Sequence, residues 1–227
     1  MNIMRLSMAL PTVKSRVFCA AGAILMIALA AASLFVGKYP LTLEGLLSGD
    51  VMQLRVFWTL RASRTAVGVI GGFALGAAGF VYQTVFRNPL ASPDVIGVSS
   101  GASLGAAFAI LCGSPNWLIQ LSAFTGGIAA VAFSYLISRK SAHSQILSLV
   151  LTGSMVMALC NAGVTMIKYV SDPNDVLQQI TFWLMGSLTK TSMNSFSWSA
   201  VPMSVGLAIV LLLRWRINLL KIGRAHV

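Results

Sequence analysis

Two charge-free apolar runs begin in succession between Arg61 and Ala102, and each repeats glycine at every fourth position. Gly68, Gly72 and Gly76 mark the first; Gly97, Gly101 and Gly105 mark the second. On a helix that spacing aligns three absent side chains on one face. Glycine weakens a helix in water, so a soluble protein gains little from such a face. In hydrocarbon, where no hydrophobic drive pushes helices together, small residues let backbones approach and supply the packing. The two runs are therefore expected to form a membrane-crossing helical hairpin packed backbone to backbone.

The rest of the chain agrees. Of 227 residues, 57% are apolar and only 9% charged, and the mean hydropathy is +0.83. Charge-free windows recur at about the twenty-residue length a bilayer core demands. They are Val17 to Gly37, Thr65 to Phe86, Ser144 to Ile167 and Phe196 to Leu213. Val95 to Ser138 is too long for one crossing and is divided in two by Cys112-Gly113-Ser114-Pro115-Asn116. Backbone groups in lipid must be satisfied within the segment, so these runs are helices and the fold class is all-α, with six crossings. The first run is as long as a full span and lacks a clear small-residue cleavage site, so it is read as a helix and not as a secretory leader.

A net charge of +11 raises nucleic acid as a partner, but the basic residues sit singly at run ends and form no patch. They follow the positive-inside rule with the N-terminus in the cytoplasm. Arg5, Lys14, Arg16, Arg87, Arg139, Lys140, Arg214, Arg216, Lys221 and Arg224 then lie inside, with Asp94 the sole acid there. Lys38, Arg55, Arg61, Arg64, Lys168 and Lys190 lie outside with Glu44, Asp50, Asp172 and Asp175. Arg55, Arg61 and Arg64 cluster on that outer side against the trend. Trp58, Trp117, Trp183, Trp198 and Trp215 fall near run ends, where an amphipathic indole settles. Cys19, Cys112 and Cys160 have neither pairing nor metal spacing and read as apolar fillers.

Between the glycine runs, Arg87-Asn88-Pro89-Leu90-Ala91-Ser92-Pro93-Asp94 turns the chain on the cytoplasmic side. Pro89 ends the incoming helix. Ser92 as N-cap, Pro93 at the first helical position and Asp94 in the first turn start the next. Arg87 suits the carbonyl end of one helix and Asp94 the amide end of the other. Two outer segments are not read as spans. Leu41 to Leu60 mixes apolar and polar residues. After Asp172-Pro173 a short helix places Val176, Leu177, Ile180, Trp183 and Leu184 on one face, and Gly186 ends it; it is expected to lie along the outer membrane surface.

The last residues read differently. Ile222-Gly223-Arg224-Ala225-His226-Val227 is what ATC GGA AGA GCA CAC GTC encodes, the start of a common sequencing adapter. Residues 1–220 are accordingly taken as one transmembrane domain and 221–227 as a non-native tail, with the natural protein expected to continue.

The sequence offers no catalytic or metal site. There is no Gly-rich loop ending in Gly-Lys-Ser/Thr, so nucleotide hydrolysis is not expected of this chain. His143 and His226 have no Cys, Asp or Glu at metal-ligand spacing, so no metal and no cofactor is expected. All five acids fall outside the apolar runs, which leaves no carboxylate for an intramembrane ion relay. No Gly-x-Ser-x-Gly elbow accompanies a base. Gln83, Ser99, Ser100, Ser103, Thr152, Ser154, Asn161 and Thr165 are polar residues within the runs, read first as hydrogen-bonding links between helices.

Over about residues 15 to 220 the chain resembles the permease subunits of ABC importers for ferric siderophores, haem and cobalamin, the FecCD family. The likeness rests on Arg61-x-x-Arg64, the Gly/Ala-rich run ending in Gln83, Arg87-Asn88-Pro89-Leu90-Ala91-x-Pro93, Gly97 and Gly101-Ala102. Leu149-x-x-x-Gly153, Trp183-x-x-Gly186-Ser187-Leu188 and Arg216-x-Asn218-x-Leu220 extend it. The resemblance implies about ten spans per subunit and a second permease subunit, identical or paralogous. It also implies two ATP-binding subunits inside and a periplasmic or lipoprotein substrate-binding protein outside. Arg61 and Arg64 would then meet acidic residues of the binding protein, although Ala62-Ser63 departs from the Leu-Pro common between them.

The expectation is the first six spans of an inner-membrane permease for a metal chelate, foremost a ferric siderophore. An ion-coupled secondary transporter is the alternative, and would need an intramembrane charge or paired broken helices. A membrane-embedded enzyme, the third class, lacks any nucleophile–base pair.

Overall fold

The computed structural model describes residues 13–37, 39–86, 88, 91–140, 145–188 and 193–222. Among these, every regular element is helical. The order is α1 (Val13–Phe35), α2 (Leu43–Leu47), α3 (Val51–Arg55), a π-helical stretch (Val56–Ala62), α4 (Ser63–Phe86), a 3-10 turn (Pro93–Ile96), α5 (Val98–Leu111), α6 (Asn116–Ser138), α7 (Gln145–Val170), α8 (Val176–Met185) and α9 (Met193–Ile222).

Three described helices are long and apolar enough to cross a membrane: Val51–Phe86, Asn116–Ser138 and Ile146–Val170. Shorter apolar stretches are Ala20–Phe35, Val98–Leu111, Val176–Met185 and Ala200–Trp215. Two departures from the six expected spans have local causes. Helix is continuous from Val51 to Phe86, so the segment read as a non-spanning outer loop contributes the start of the second span. The third run is cut to the 14 residues of α5, because Gly97 adopts φ +85 and separates the 3-10 turn from the helix. Only glycine takes that left-handed backbone at little cost.

The chain divides into two compact units, residues 1–69 and 70–227. In the first, α2 and α3 are short helices fixed by side-chain caps. Thr42 Oγ1 accepts from the Gly45 amide at 3.2 Å, and Asp50 Oδ1 from the Met52 amide at 2.9 Å. Each satisfies an amide that a helix start leaves orphaned. Gln53 ties the pair together, its Oε1 accepting from the Thr42 amide at 3.1 Å. Ser33 on α1 and Thr65 on α4 share a hydrogen bond of 2.9 Å.

In the second unit α5 packs against α6 and α7. A Cβ added to Gly126 on α6 would stand 2.5 Å from the carbonyl oxygen of Gly101, and one on Gly101 would collide with Gly126 and Ala130. Gly105 meets the backbone of Ser122 in the same way. Ser122, Gly126 and Ala130 are four apart, so both helices present small residues along one seam. The tightest glycine seam is thus α5 on α6. Gly72 and Gly76 on α4 have open space where a side chain would go. Among the described residues of this unit, it is the glycines of the second run that meet a facing backbone closely, with α6 as their partner.

Helix α5 closes with Gly113 at φ +66; the Ser114 amide donates to Ala109 O at 3.0 Å and the Gly113 amide to Ile110 O at 2.9 Å. This is the glycine-terminated cap that stops a helix, and Pro115 then opens α6. At that end of the unit Ala106, Ala107, Ala109 and Ile110 pack with Ile119, Ala123, Val164 and Ile180. Ile180 is the anchor of α8 and is fully buried, with Val176 and Leu184 beside it. The short helix expected along the membrane surface exists within the bounds read from its apolar face. Its apolar face covers the end of the bundle and is not left for lipid alone.

Candidate functional site

Two regions hold the residues singled out by sequence. The first is the arginine cluster. Arg61 lies in the last turn of the π-helical stretch, a rare backbone form that occurs mostly within α-helices and frequently at functional sites. Its guanidinium donates to the carbonyl of Val36 and, at 3.1 Å, to that of Tyr39. Gly37 lies directly beneath it, where a side chain would collide with the guanidinium. A planar fork with donors in fixed directions suits two carbonyls at once. Arg61 therefore fastens the chain leaving α1. Arg64 is half-buried in the first turn of α4. Ser63 between them is 2% exposed and donates to Thr59 O at 2.6 Å.

The second region follows the polar turn. Of its motif, Arg87, Pro89 and Leu90 lie outside the described residues, while Asn88, Ala91 and Pro93 are described. The Ala91 amide donates to Asn88 O at 3.1 Å, and the Val95 amide to Ser92 O at 3.2 Å. Ser92 occupies the cap position with extended backbone and Pro93 opens the helical turn, but Ser92's side chain makes no cap bond. What starts there is a 3-10 turn; α5 starts only after Gly97. Asp94, in that turn, accepts from the hydroxyl of Ser99 at the head of α5.

This turn is held from two sides. Ser134 on α6, wholly buried, donates to Ile96 O at 3.2 Å. On α7 a Cβ at Gly153 would stand 2.7 Å from Ile96 Cα, so Gly153 exists to admit the turn. Gly97 joins this contact, facing the Gly153 carbonyl. Sequence reasoning missed Ser134 and Gly126. The signal was a four-residue register, Gly126, Ala130 and Ser134, that continues the small face of α6.

The polar residues expected to link helices mostly bond to their own helix. Ser103 donates to Ser99 O at 2.8 Å, Thr152 to Ser148 O at 2.7 Å, Ser154 to Leu151 O at 2.8 Å and Thr165 to Asn161 O at 2.9 Å. Ser100 donates to Gly97 O at 3.0 Å. Backward bonding of this kind satisfies a hydroxyl in lipid without a partner helix. Gln83 and Asn161 are exposed. Among the described residues no group of three His, Cys, Asp or Glu could hold a metal ion. All five acids are exposed and none lies in a helix of membrane-crossing length.

Three apolar helices of membrane-crossing length and glycine-seamed packing among the described residues mark an integral membrane protein of the multi-pass kind. The FecCD transport family model matches residues 24–226, and the chain belongs to that family. Among its relatives is a molybdate import system permease protein of Haemophilus influenzae, 32% identical over 209 residues, or 88% of this chain and 62% of that protein. A probable iron chelatin transport system permease protein of Helicobacter pylori is 38% identical over 167 residues, 74% of this chain and 50% of that protein. A hemin transport system permease protein of Yersinia pestis is 33% identical over 214 residues, 88% of this chain and 62% of that protein. A solved structure of a metal-chelate type ABC transporter in an inward-facing conformation superposes with a TM-score of 0.80 at 32% identity, covering 91% of this chain and 65% of that one. The chain spans between half and two thirds of the length of these relatives.

Proposed function

We propose that this chain forms part of the membrane permease of an ATP-driven importer of a metal chelate, foremost a ferric siderophore. The observation that carries the reading is the superposition on a metal-chelate type ABC transporter, at a TM-score of 0.80 over 91% of the chain. Relatives named for iron chelatin, hemin and molybdate import support the wider class of metal-bearing cargo. In this reading the chain pairs with a second permease subunit, identical or paralogous. ATP-binding subunits act from the cytoplasm, and a periplasmic or lipoprotein binding protein delivers cargo outside. The N-terminus is cytoplasmic, which places Arg139 and Lys140 inside and Arg61 and Arg64 outside.

Arg61 holds two backbone carbonyls and so shapes the outer rim; with Arg64, half-buried three residues on, it is proposed to meet acidic residues of the binding protein. Charges at such a rim act mainly on orientation and association rate. The ion-coupled alternative has less support, since no acid sits in a membrane-length helix. Uptake of a ferric siderophore by cells carrying the whole system tests the reading. ATP depletion should abolish it and collapse of the ion gradients should not. The reverse pattern would replace the proposal with the ion-coupled one.

A further inference from the structure

Helix is continuous from Val51 to Phe86, but Val56–Ala62 within it is wound as a π-helix. Amides there donate five residues back instead of four, so each turn holds about one residue more. The winding is rare, and its flanks are ordinary: Arg55 has φ −62 and ψ −48, Ser63 φ −62 and ψ −44. Glycine and proline, common causes of a distorted helix, are absent from Val-Phe-Trp-Thr-Leu-Arg-Ala. No residue of the stretch is buried, so a packed core does not impose the winding either.

Two polar holds act on it, and both sit at its last turn. The Arg61 guanidinium donates to the carbonyls of Val36 and, at 3.1 Å, Tyr39. Gly37 leaves room for it, since a side chain there would collide with the guanidinium. Ser63 donates its hydroxyl to Thr59 O at 2.6 Å, occupying a carbonyl at the junction where five-residue bonding gives way to four. Backward bonding of a hydroxyl in this way loosens and bends a helix. The carbonyls that grip Arg61 belong to the chain leaving α1, and α1 is itself fixed to α4 by the Ser33–Thr65 bond. Closing the stretch to α-helix would turn each of its residues about the axis relative to α4. The turn accumulates to about 100° at α3, the angle of one residue. Arg61 would be carried off its two carbonyls, so the hold and the α-winding exclude each other.

We propose that Val56–Ala62 is a rewinding joint latched by Arg61. With the guanidinium on Val36 and Tyr39 the stretch is π-helical; once released it closes to α-helix and turns α3 relative to α4. The joint lies within residues 1–69 and depends on neither the cargo nor a partner. The test uses the full chain in lipid nanodiscs, with Cys19, Cys112 and Cys160 replaced by alanine and nitroxide pairs read by double electron–electron resonance. Leu29→Cys on α1 with Met52→Cys on α3 reports the turn, both positions being exposed. Such a turn, at the outer helix radius of about 5–6 Å, moves a side chain through about 8 Å. Arg61→Ala should therefore add a second distance, displaced from the first by about 5–8 Å. Arg61→Lys should add it too, since one ammonium lacks the fork that spans two carbonyls. Arg55→Ala, which removes a neighbouring exposed charge, should leave the parent distribution. Leu29→Cys with Val69→Cys, on α4 beyond the joint, should keep its distance in every variant. An Arg61→Ala distribution equal to the parent's overturns the proposal. So does one that broadens without a second maximum, because the segment then frays instead of rewinding. The same second distance in Arg55→Ala overturns it too, as does movement of the pair at 29 and 69, since α1 then leaves α4 bodily.

Discussion

Ser134, at the end of the small-residue register of α6, donates its hydroxyl to the carbonyl of Ile96, 3.2 Å away and 38 residues earlier in the chain. Both residues are buried, at 0% and 5% exposure. The bond fastens the 3-10 turn that follows the polar corner to the body of α6. Gly153 closes the other side by having no side chain to keep the turn away. The 3-10 turn is thereby held between α6 and α7.

Ser134→Ala should lower thermal stability in detergent modestly. Hydrogen bonds between membrane helices average about 0.6 kcal/mol and reach about 1.7 kcal/mol, since the unfolded segments in the membrane also find partners. Ser134→Leu should do more harm, because a fully buried position has no room for the added atoms. A melting curve in which the leucine variant equals the parent would mean that Ser134 is not packed as described.

Glycine substitutions should separate the two runs. Gly101→Ala and Gly126→Ala place a methyl group 2.5–2.6 Å from a facing carbonyl oxygen, so α5 and α6 must part and stability should fall by about 1–3 kcal/mol. Gly72→Ala and Gly76→Ala meet nothing within this chain and should be neutral or stabilise by up to about 1 kcal/mol, alanine being the better helix former. Unfolding curves of the four purified single variants check the contrast. Loss of stability at Gly72 or Gly76 would reveal a partner helix seated on α4.

The glycine periods made the small-residue packing legible, and the apolar face of Val176, Ile180 and Leu184 gave α8 before any coordinates. Which helix would meet which was not legible. Ser122, Gly126, Ala130 and Ser134 share a register with the α5 glycines, but Gly68, Gly72 and Gly76 offer an equal stripe, and pairing is decided by three-dimensional fit. The length of the third span differed for a related reason. Hydropathy counts residues, whereas the break at Gly97 depends on a backbone angle and on Gly153 across the gap. The hold of Arg61 on the carbonyls of Val36 and Tyr39 was not legible either, because it depends on where the chain leaving α1 passes.

The arginines should therefore respond differently. Arg61→Ala should speed amide hydrogen exchange across residues 41–55, because it frees the carbonyls that hold the chain after α1. Arg64→Glu should leave that exchange unchanged and slow association with the binding protein, most strongly at low salt, where exposed charges are least screened. Arg61→Glu together with Arg64→Glu should show both effects. Stopped-flow association at two salt concentrations, with exchange measured on the same samples, resolves them. An Arg64→Glu variant that associates at the parent rate at both concentrations would remove this residue from the docking surface.

Helix α8 gives the largest expected single effect. Ile180 is fully buried against the alanine-lined end of α5, beside Ile119 and Val164. Ile180→Ala should cost about 2–5 kcal/mol through lost contact and the cavity left behind. Ile180→Asp should cost more, since no described cation lines the core it enters and a buried carboxylate without a partner must either be expelled or take up a proton. Expulsion would lift α8 from the bundle while α5, α6 and α7 keep their glycine seam. A cysteine at Gln178, on the polar side of α8, should then be labelled by a membrane-impermeant thiol reagent at the same rate in both forms. A cysteine replacing Val176 should be slow in the parent and fast in Ile180→Asp. Rapid labelling at Val176 in the parent would show that α8 rests against lipid and not against the protein.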